Sequence, residues 1–228
     1  MKVEAAAIAG QIAALGHARV PGFLSAADCA SLAALWPSET AFRSTVDMAR
    51  HRFGEGAYRY FAYPLPPLVT RLREALYPAL AETANGMAAA LGRAERYPPR
   101  LADWVATCHA AGQTRPTPLL LRYQVGGWNA LHRDLYGPLV FPLQATILLS
   151  RPGEDFEGGE FLLVEQRPRQ QSMGTAVALR QGELIVFPVF DRPVAGTRGT
   201  YRAQLRHGVS RIARGERFAL GLIFHDAA

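Results

Sequence analysis

Three residue types at long spacing carry the chemistry in this chain. His132 and Asp134 are separated by one residue, and His207 follows far downstream. Two imidazoles and one carboxylate are a ligand set that leaves half of an octahedral iron(II) free for other molecules. Arg217 lies ten residues past His207. A guanidinium there can hold an anionic co-substrate beside the metal, because its planar fork accepts a carboxylate bidentately. A His-x-Asp tripeptide alone is weak evidence, since a lone histidine on a strand is more often structural. What strengthens it is the order: His-x-Asp on an early strand, a Gly-Gly-Glu turn, a strand with Pro188, a distal His-Gly and an arginine on the last strand.

These residues need a scaffold that brings distant segments together. On an extended strand, His132 and Asp134 point to the same face. Gly126 and Gly127 just before them permit a sharp backbone turn. From residue 118 onward the apolar segments are short: 119–124, 143–149, 160–165, 176–179, 183–187, 204–209 and 218–225. Gly, Pro and charged turns separate them and no helical pattern intervenes, which predicts an antiparallel sandwich or barrel. Before residue 115 the pattern is helical. Helices are expected over 4–15, over 26–35 with Ser25 as N-cap, over 68–91 with a break near Pro78, and over 101–111. The division expected is residues 1–115 as a helical region supporting the barrel and 116–228 as the catalytic core, within one integrated domain.

Composition narrows the setting. Of the 228 residues, 49% are hydrophobic, which suits a well-packed globular chain. No stretch reaches the roughly 20 apolar residues of a membrane span. The Ala-rich N-terminus is interrupted by Glu4 and Gln11 and does not resemble a secretory signal. Cys29 and Cys108 lack metal-type spacing, so buried reduced thiols and a cytoplasmic setting are expected. The net charge of +6 suggests an anionic partner. Lys2 is the single lysine, however, and an Arg-rich balance also follows from a GC-rich coding sequence. Arg192, Arg198, Arg202, Arg206, Arg211, Arg214 and Arg217 form a local cluster that is either a polyanion-binding face or a solvated surface.

The segments LRYQVGGWNALHRDL, FEGGEFLL, GELIVFP and RHGVSRIARGERFALGLIF resemble the core of the Fe(II)- and 2-oxoglutarate-dependent dioxygenases. With STVDMARHRFG and YRYFAYPLP upstream, the chain is most similar to a bacterial group of that superfamily proposed to modify nucleic acid in an AlkB-like manner. The resemblance implies an α+β fold with a double-stranded β-helix (jelly-roll) core and an N-terminal helical region packed on it. It implies Fe(II), 2-oxoglutarate and dioxygen as cofactors, with His132, Asp134 and His207 as iron ligands and Arg217 on the distal carboxylate of 2-oxoglutarate. Tyr123 resembles a tyrosine that hydrogen-bonds the co-substrate, and Thr146 is a further candidate in the same pocket. His225 is expected on the rim. AlkB-type demethylases carry a second arginine six positions past the first, where this chain has Ile223. The spacing of Arg217 from His207 is instead prolyl-hydroxylase-like.

The substrate therefore stays open between nucleic acid (single-stranded or damaged), a protein or peptide, and a small metabolite. Arg50, His51, Arg52, Phe53, Tyr58, Arg59, Tyr60 and Phe61 interleave basic and aromatic side chains that could stack bases, grip a peptide or simply cover the barrel. Trp128 and Tyr136 are candidates to line the entrance. A non-catalytic jelly-roll module that acts by binding is the alternative of a different class, and the intact ligand set and arginine argue against it.

Overall fold

A computed structural model describes residues 3–134, 136–197 and 199–228. Four helices are described: α1 (Ala5–Leu15), α2 (Ala26–Ala33), α3 (Pro67–Ala90) and α4 (Leu101–Ala110). The first strands are β1 (Ala18–Val20), β2 (Phe42–Asp47), β3 (Gly54–Glu55), β4 (Ala57–Phe61) and β5 (Leu119–Tyr123). They are followed by β6 (Trp128–His132), β7 (Leu143–Leu148), β8 (Phe156–Gly158), β9 (Phe161–Gln166) and β10 (Met173–Val177). The last are β11 (Leu184–Pro188), β12 (Asp191–Gly196), β13 (Gly199–Val209), β14 (Ile212–Gly215) and β15 (Arg217–Leu222).

The strands form two large antiparallel sheets and a two-stranded one, β14-β8. The larger has the order β1-β11-β7-β15-β5-β4-β2, and the smaller β10-β9-β13-β6-β3 with β12 on β13. Alternation of side chains sorts the larger sheet into two faces. Leu120, Ala145, Ile147, Leu184, Val186, Leu220 and Leu222 pack against Leu72, Leu76, Tyr77 and Leu80 of α3 and its neighbours. The opposite face contributes Tyr123, Leu148, Ile185 and Phe187 to a second core shared with Phe161, Leu163, Leu205 and Val209 of the smaller sheet. The layers are thus helices, large sheet, small sheet: the sandwich expected from the short-strand pattern and the jelly-roll core that the resemblance implies.

Local signals explain several elements. The Asp28 amide donates to Ser25 Oγ at 3.1 Å, capping α2 as its sequence predicts. Helix α3 runs unbroken through Pro78, against the expected break. Pro78 and Glu74, whose carbonyl loses its partner, are both exposed, so water can satisfy that oxygen. The N-terminal half is not purely helical. Residues 42–47 and 57–61 pair as β2 and β4 and extend the large sheet beyond β5, while residues 18–20 pair with β11 at its other edge. Burial along β2 alternates with period two, the trace of a half-buried strand.

Candidate metal centre

The smaller sheet assembles the ligands by register. β13 and β6 pair so that His207 stands directly opposite His132. The ring centroids lie 4.3 Å apart. Asp134 follows just past the end of β6 and turns its carboxylate between them. Its Oδ1 lies 3.5 Å from His132 Nε2 and its Oδ2 3.3 Å from His207 Nε2. One ligand atom from each residue lies within 4.8 Å of the others, which a single divalent cation can bridge.

Neighbours hold these groups in position. His132 Nδ1 donates to the Ala130 carbonyl at 2.7 Å, which leaves Nε2 free to ligate a metal. Tyr136 donates its hydroxyl to Asp134 Oδ1 at 2.7 Å. Burial alone would raise the Asp134 carboxyl, but hydrogen bonds from His132 and His207 outweigh it and hold the group well below the usual carboxylate range. Burial lowers His207 in turn, with Asp134 opposing. An ionised carboxylate and a neutral imidazole are the states in which these groups bind metal.

A cavity of about 400 Å³ opens beside the triad. One wall is the inner face of the large sheet. Leu119, Leu121 and Tyr123 from β5, Arg217, Ala219 and Gly221 from β15, and Gln144 and Thr146 from β7 line it at every second position. Arg217 pairs with Tyr123 across the β15–β5 ladder, and Gly221 pairs with Thr146 across β15–β7. Arg217 is 1% exposed. Among the described residues it has no carboxylate within ion-pair distance, and its Nε is buried without a hydrogen bond. Burial presses down on its charge, with Tyr123 and Glu160 offsetting in part. A buried, unneutralised guanidinium is costly unless it is matched by an anion. The Tyr123 hydroxyl has the Asn129 side chain beside it and no well-formed hydrogen bond, and Gln144 Oε1 is likewise buried without one. The residues thus fit a metal and a carboxylate-bearing co-substrate on local chemistry alone.

The Gly-Gly-Glu turn has a steric role here. Gly159 has φ +67°, and a Cβ on it would lie 2.9 Å from Arg217 Cδ. Only glycine lets this loop lie over the arginine stem.

Of the sequence candidates, His132, Asp134, His207, Arg217, Tyr123 and Thr146 all line this one cavity, together with Tyr136. His225 does not sit on the rim. It is fully buried, accepts the Phe141 amide on Nδ1 at 3.2 Å and packs 6.2 Å from Tyr136. Trp128 pairs with Glu55 across β6–β3 and is not among the cavity-lining residues. Gln144 and Asn129 line the cavity and were not singled out in the sequence. Gln144 lies two before Thr146 on β7, and that period-two offset was the available signal.

The arginine-rich stretch is not one face. Arg192 is buried against Glu165 at 2.6 Å, Arg217 lies in the cavity, and Arg214 pairs with Glu157 at 2.9 Å. Arg198 lies outside the described residues. The aromatic-basic run divides as well. Arg52, Phe53 and Tyr58 line the cavity, while Phe61 is core and Arg59 stacks over the Phe42 ring at 4.3 Å. Cys29 and Cys108 are free and buried, as expected. Among the described residues no helix is long and apolar enough to cross a membrane.

Residues 56–227 match the Oxygenase-NA family, described as an oxygenase catalysing oxidative methylation of damaged DNA. The chain belongs to this family. The uncharacterized protein Rv2227 of Mycobacterium tuberculosis is 57% identical over 172 residues, 75% of this chain and 74% of its own. Two solved structures share the fold. A 2OG-Fe(II) oxygenase-family oxidoreductase from Burkholderia pseudomallei has a TM-score of 0.57 at 17% identity, covering 100% of this chain and 94% of its own. A prolyl-4-hydroxylase from Pseudomonas putida has a TM-score of 0.55 at 16% identity, covering 95% and 96%. This Oxygenase-NA member is an oxygenase by its family description, and its α+β fold has the jelly-roll core that the resemblance implies.

Proposed function

We propose that this chain oxidises an N-methyl carbon on a damaged base of single-stranded nucleic acid, using Fe(II), 2-oxoglutarate and dioxygen. The reading rests on one observation above all: the His132, Asp134 and His207 triad and the unneutralised Arg217 share a single cavity. The family description supplies the nucleic-acid class.

In this reading His132 Nε2, the Asp134 carboxylate and His207 Nε2 hold the iron, and Arg217 and Tyr123 hold the distal carboxylate of 2-oxoglutarate. Thr146 and Gln144, on the next strand, complete the polar wall. The bound metal and co-substrate supply the oxidant, one oxygen atom ending in succinate and the other in a hydroxyl on the substrate. The protein supplies placement and dryness. Leu119, Leu121, Phe161 and Val209 exclude water from the walls. Tyr136 keeps its proton on the bond to Asp134 Oδ1, so that oxygen is fixed and Oδ2 is left toward the metal. A hydroxylated N-methyl group loses formaldehyde and leaves N–H, so the chemistry runs toward demethylation.

The mouth suits a base. Phe53 is 47% exposed and stacks on His51 at 5.4 Å, beside Arg52, whose side chain lines the cavity. An exposed aromatic next to cations is a stacking platform for single-stranded bases. A peptide substrate is the second reading, favoured by the ten-residue spacing of Arg217 from His207 and by Ile223 where AlkB-type enzymes carry a second arginine. A cytoplasmic setting suits a nucleic-acid substrate and the two free thiols.

The test is succinate formation by purified protein with Fe(II) and 2-oxoglutarate against methylated oligonucleotides, proline-containing peptides and a metabolite pool. Stimulation by methylated oligonucleotides with release of formaldehyde supports the reading. Stimulation by peptides alone replaces it with the second.

A further inference from the structure

Beside the cavity, on the outer face of the small sheet, lies a second groove lined by His132, Arg133, Gln166, Gln204 and Arg206. It shares His132 and Arg133 with the main cavity. Its origin is the register that builds the metal centre. Arg206 and Arg133 are the chain neighbours of the paired His207 and His132, and both line this groove. Among the described residues no carboxylate pairs directly with either arginine, and Asp191 offsets the charge of Arg133 only from a distance. Arg133 donates to the Leu205 carbonyl and to Gln204 Oε1, both at 3.1 Å, and lies over the Phe190 ring at 4.2 Å. Arg206 is exposed, and among the described residues neither arginine has a carboxylate within ion-pair distance. The carboxylate in this region, Asp191, is buried and bound to Arg93. Gln204 faces Gln166 across β9–β13 and adds its amide Nε2, whereas the Gln166 amide already donates to the Arg167 and Gln170 carbonyls.

We propose that Arg133 and Arg206 form a phosphodiester site that holds the strand of a single-stranded nucleic acid while its target base enters the cavity. The proposal rests on the nucleic-acid reading and adds where the backbone lies. With Phe53 across the mouth, the base would stack on one side and its phosphate would be held on the other. Arg133 is oriented by its neutral acceptors and Phe190, so its fork is set before the anion arrives. Arg206 is free to close on it.

The experiment is fluorescence anisotropy of a labelled single-stranded oligothymidylate with the full chain, over a series of salt concentrations. Arg206→Ala, Arg206→Lys and Arg206→Glu are compared, with melting curves showing that this exposed position leaves folding intact. Wild type should bind with a negative slope of log K against log salt. Arg206→Ala should weaken binding roughly tenfold at low salt and flatten the slope by about 0.7, one phosphate contact, while Arg206→Lys keeps most of the slope. Salt-dependent wild-type binding that Arg206→Glu leaves unchanged overturns the groove while sparing the nucleic-acid reading. No wild-type binding even at low salt overturns both. Tighter binding of labelled polyglutamate than of oligothymidylate, lost in Arg206→Glu, reassigns the groove to an acidic polypeptide and overturns the proposal.

Discussion

The two sheets that enclose the cavity are built differently. β7, β11 and β15 of the large sheet are buried at nearly every position, one face on the helices and the other on the cavity. In the small sheet β9 alternates between buried and half-buried positions and β13 is partly exposed, and β13 carries a register shift between His207 and Val209. The difference teaches where each function sits. The wall proposed for the co-substrate lies on a sheet clamped from both faces, where geometry is fixed. The candidate metal ligands and the outer arginines lie on or beside a sheet with exposed positions, where a large substrate can reach them.

The comparison breaks most completely at the metal. His207→Ala or Asp134→Ala should lower 2-oxoglutarate turnover by a thousandfold or more, measured as succinate, because the remaining groups cannot hold an iron in place. Arg217→Met separates the sheets. It should raise the KM for 2-oxoglutarate by about a hundredfold, the scale of a lost buried charge pair. It should also leave the melting temperature unchanged or higher, since an unneutralised buried cation is removed. A lowered melting temperature with unchanged KM would make Arg217 structural. Tyr136→Phe should weaken Co(II) affinity roughly tenfold by freeing Asp134 Oδ1, read from the visible spectrum of the Co(II) form. An unchanged affinity would remove Tyr136 from that role.

The smallest effect falls on stability alone. Glu165 accepts from Arg192 and Arg167, both at 2.6 Å, and ties β9 to β12. Burial opposes its ionisation, but these two guanidinia hold its carboxyl below its ordinary range. A depressed carboxyl contributes stability above its unfolded pKa of about 4.3 and loses it as pH falls through the lower folded value. Glu165→Gln should therefore cost about 2 kcal/mol at pH 7 and flatten the acid limb of a denaturation series. Parallel acid limbs in the two proteins would contradict this.

The candidate site was legible because its residues are chemically singular. His132, Asp134 and His207 stand out by type and order, and Arg217 by its distance from His207, and the structure gathers them at one cavity. The core strands were legible because apolar runs between turn residues mark them. Less visible were β2 and β4, whose segments FRSTVD and AYRYF alternate weakly among charged residues and sit in a half dominated by helices. They read as strands only once β5 offers them an edge. The continuity of α3 through Pro78 depended on that residue facing solvent, which periodicity around one proline does not reveal. The arginine cluster misled because side-chain direction, not spacing, sends Arg192 inward to Glu165, Arg206 outward and Arg217 into the cavity. Tyr136 was legible as a neighbour of His132 and Asp134, but its hydrogen bond to the Asp134 carboxylate depends on side-chain placement that residue type does not reveal.

The most direct measurement is Mn(II) binding followed by electron paramagnetic resonance, with and without 2-oxoglutarate. Wild type should bind one ion per chain, and 2-oxoglutarate should tighten that binding and change the signal. The ion should be lost in His132→Ala/His207→Ala, and the 2-oxoglutarate response alone should be lost in Arg217→Met. One tightly bound ion retained by the double variant, with the same response to 2-oxoglutarate, would contradict the account.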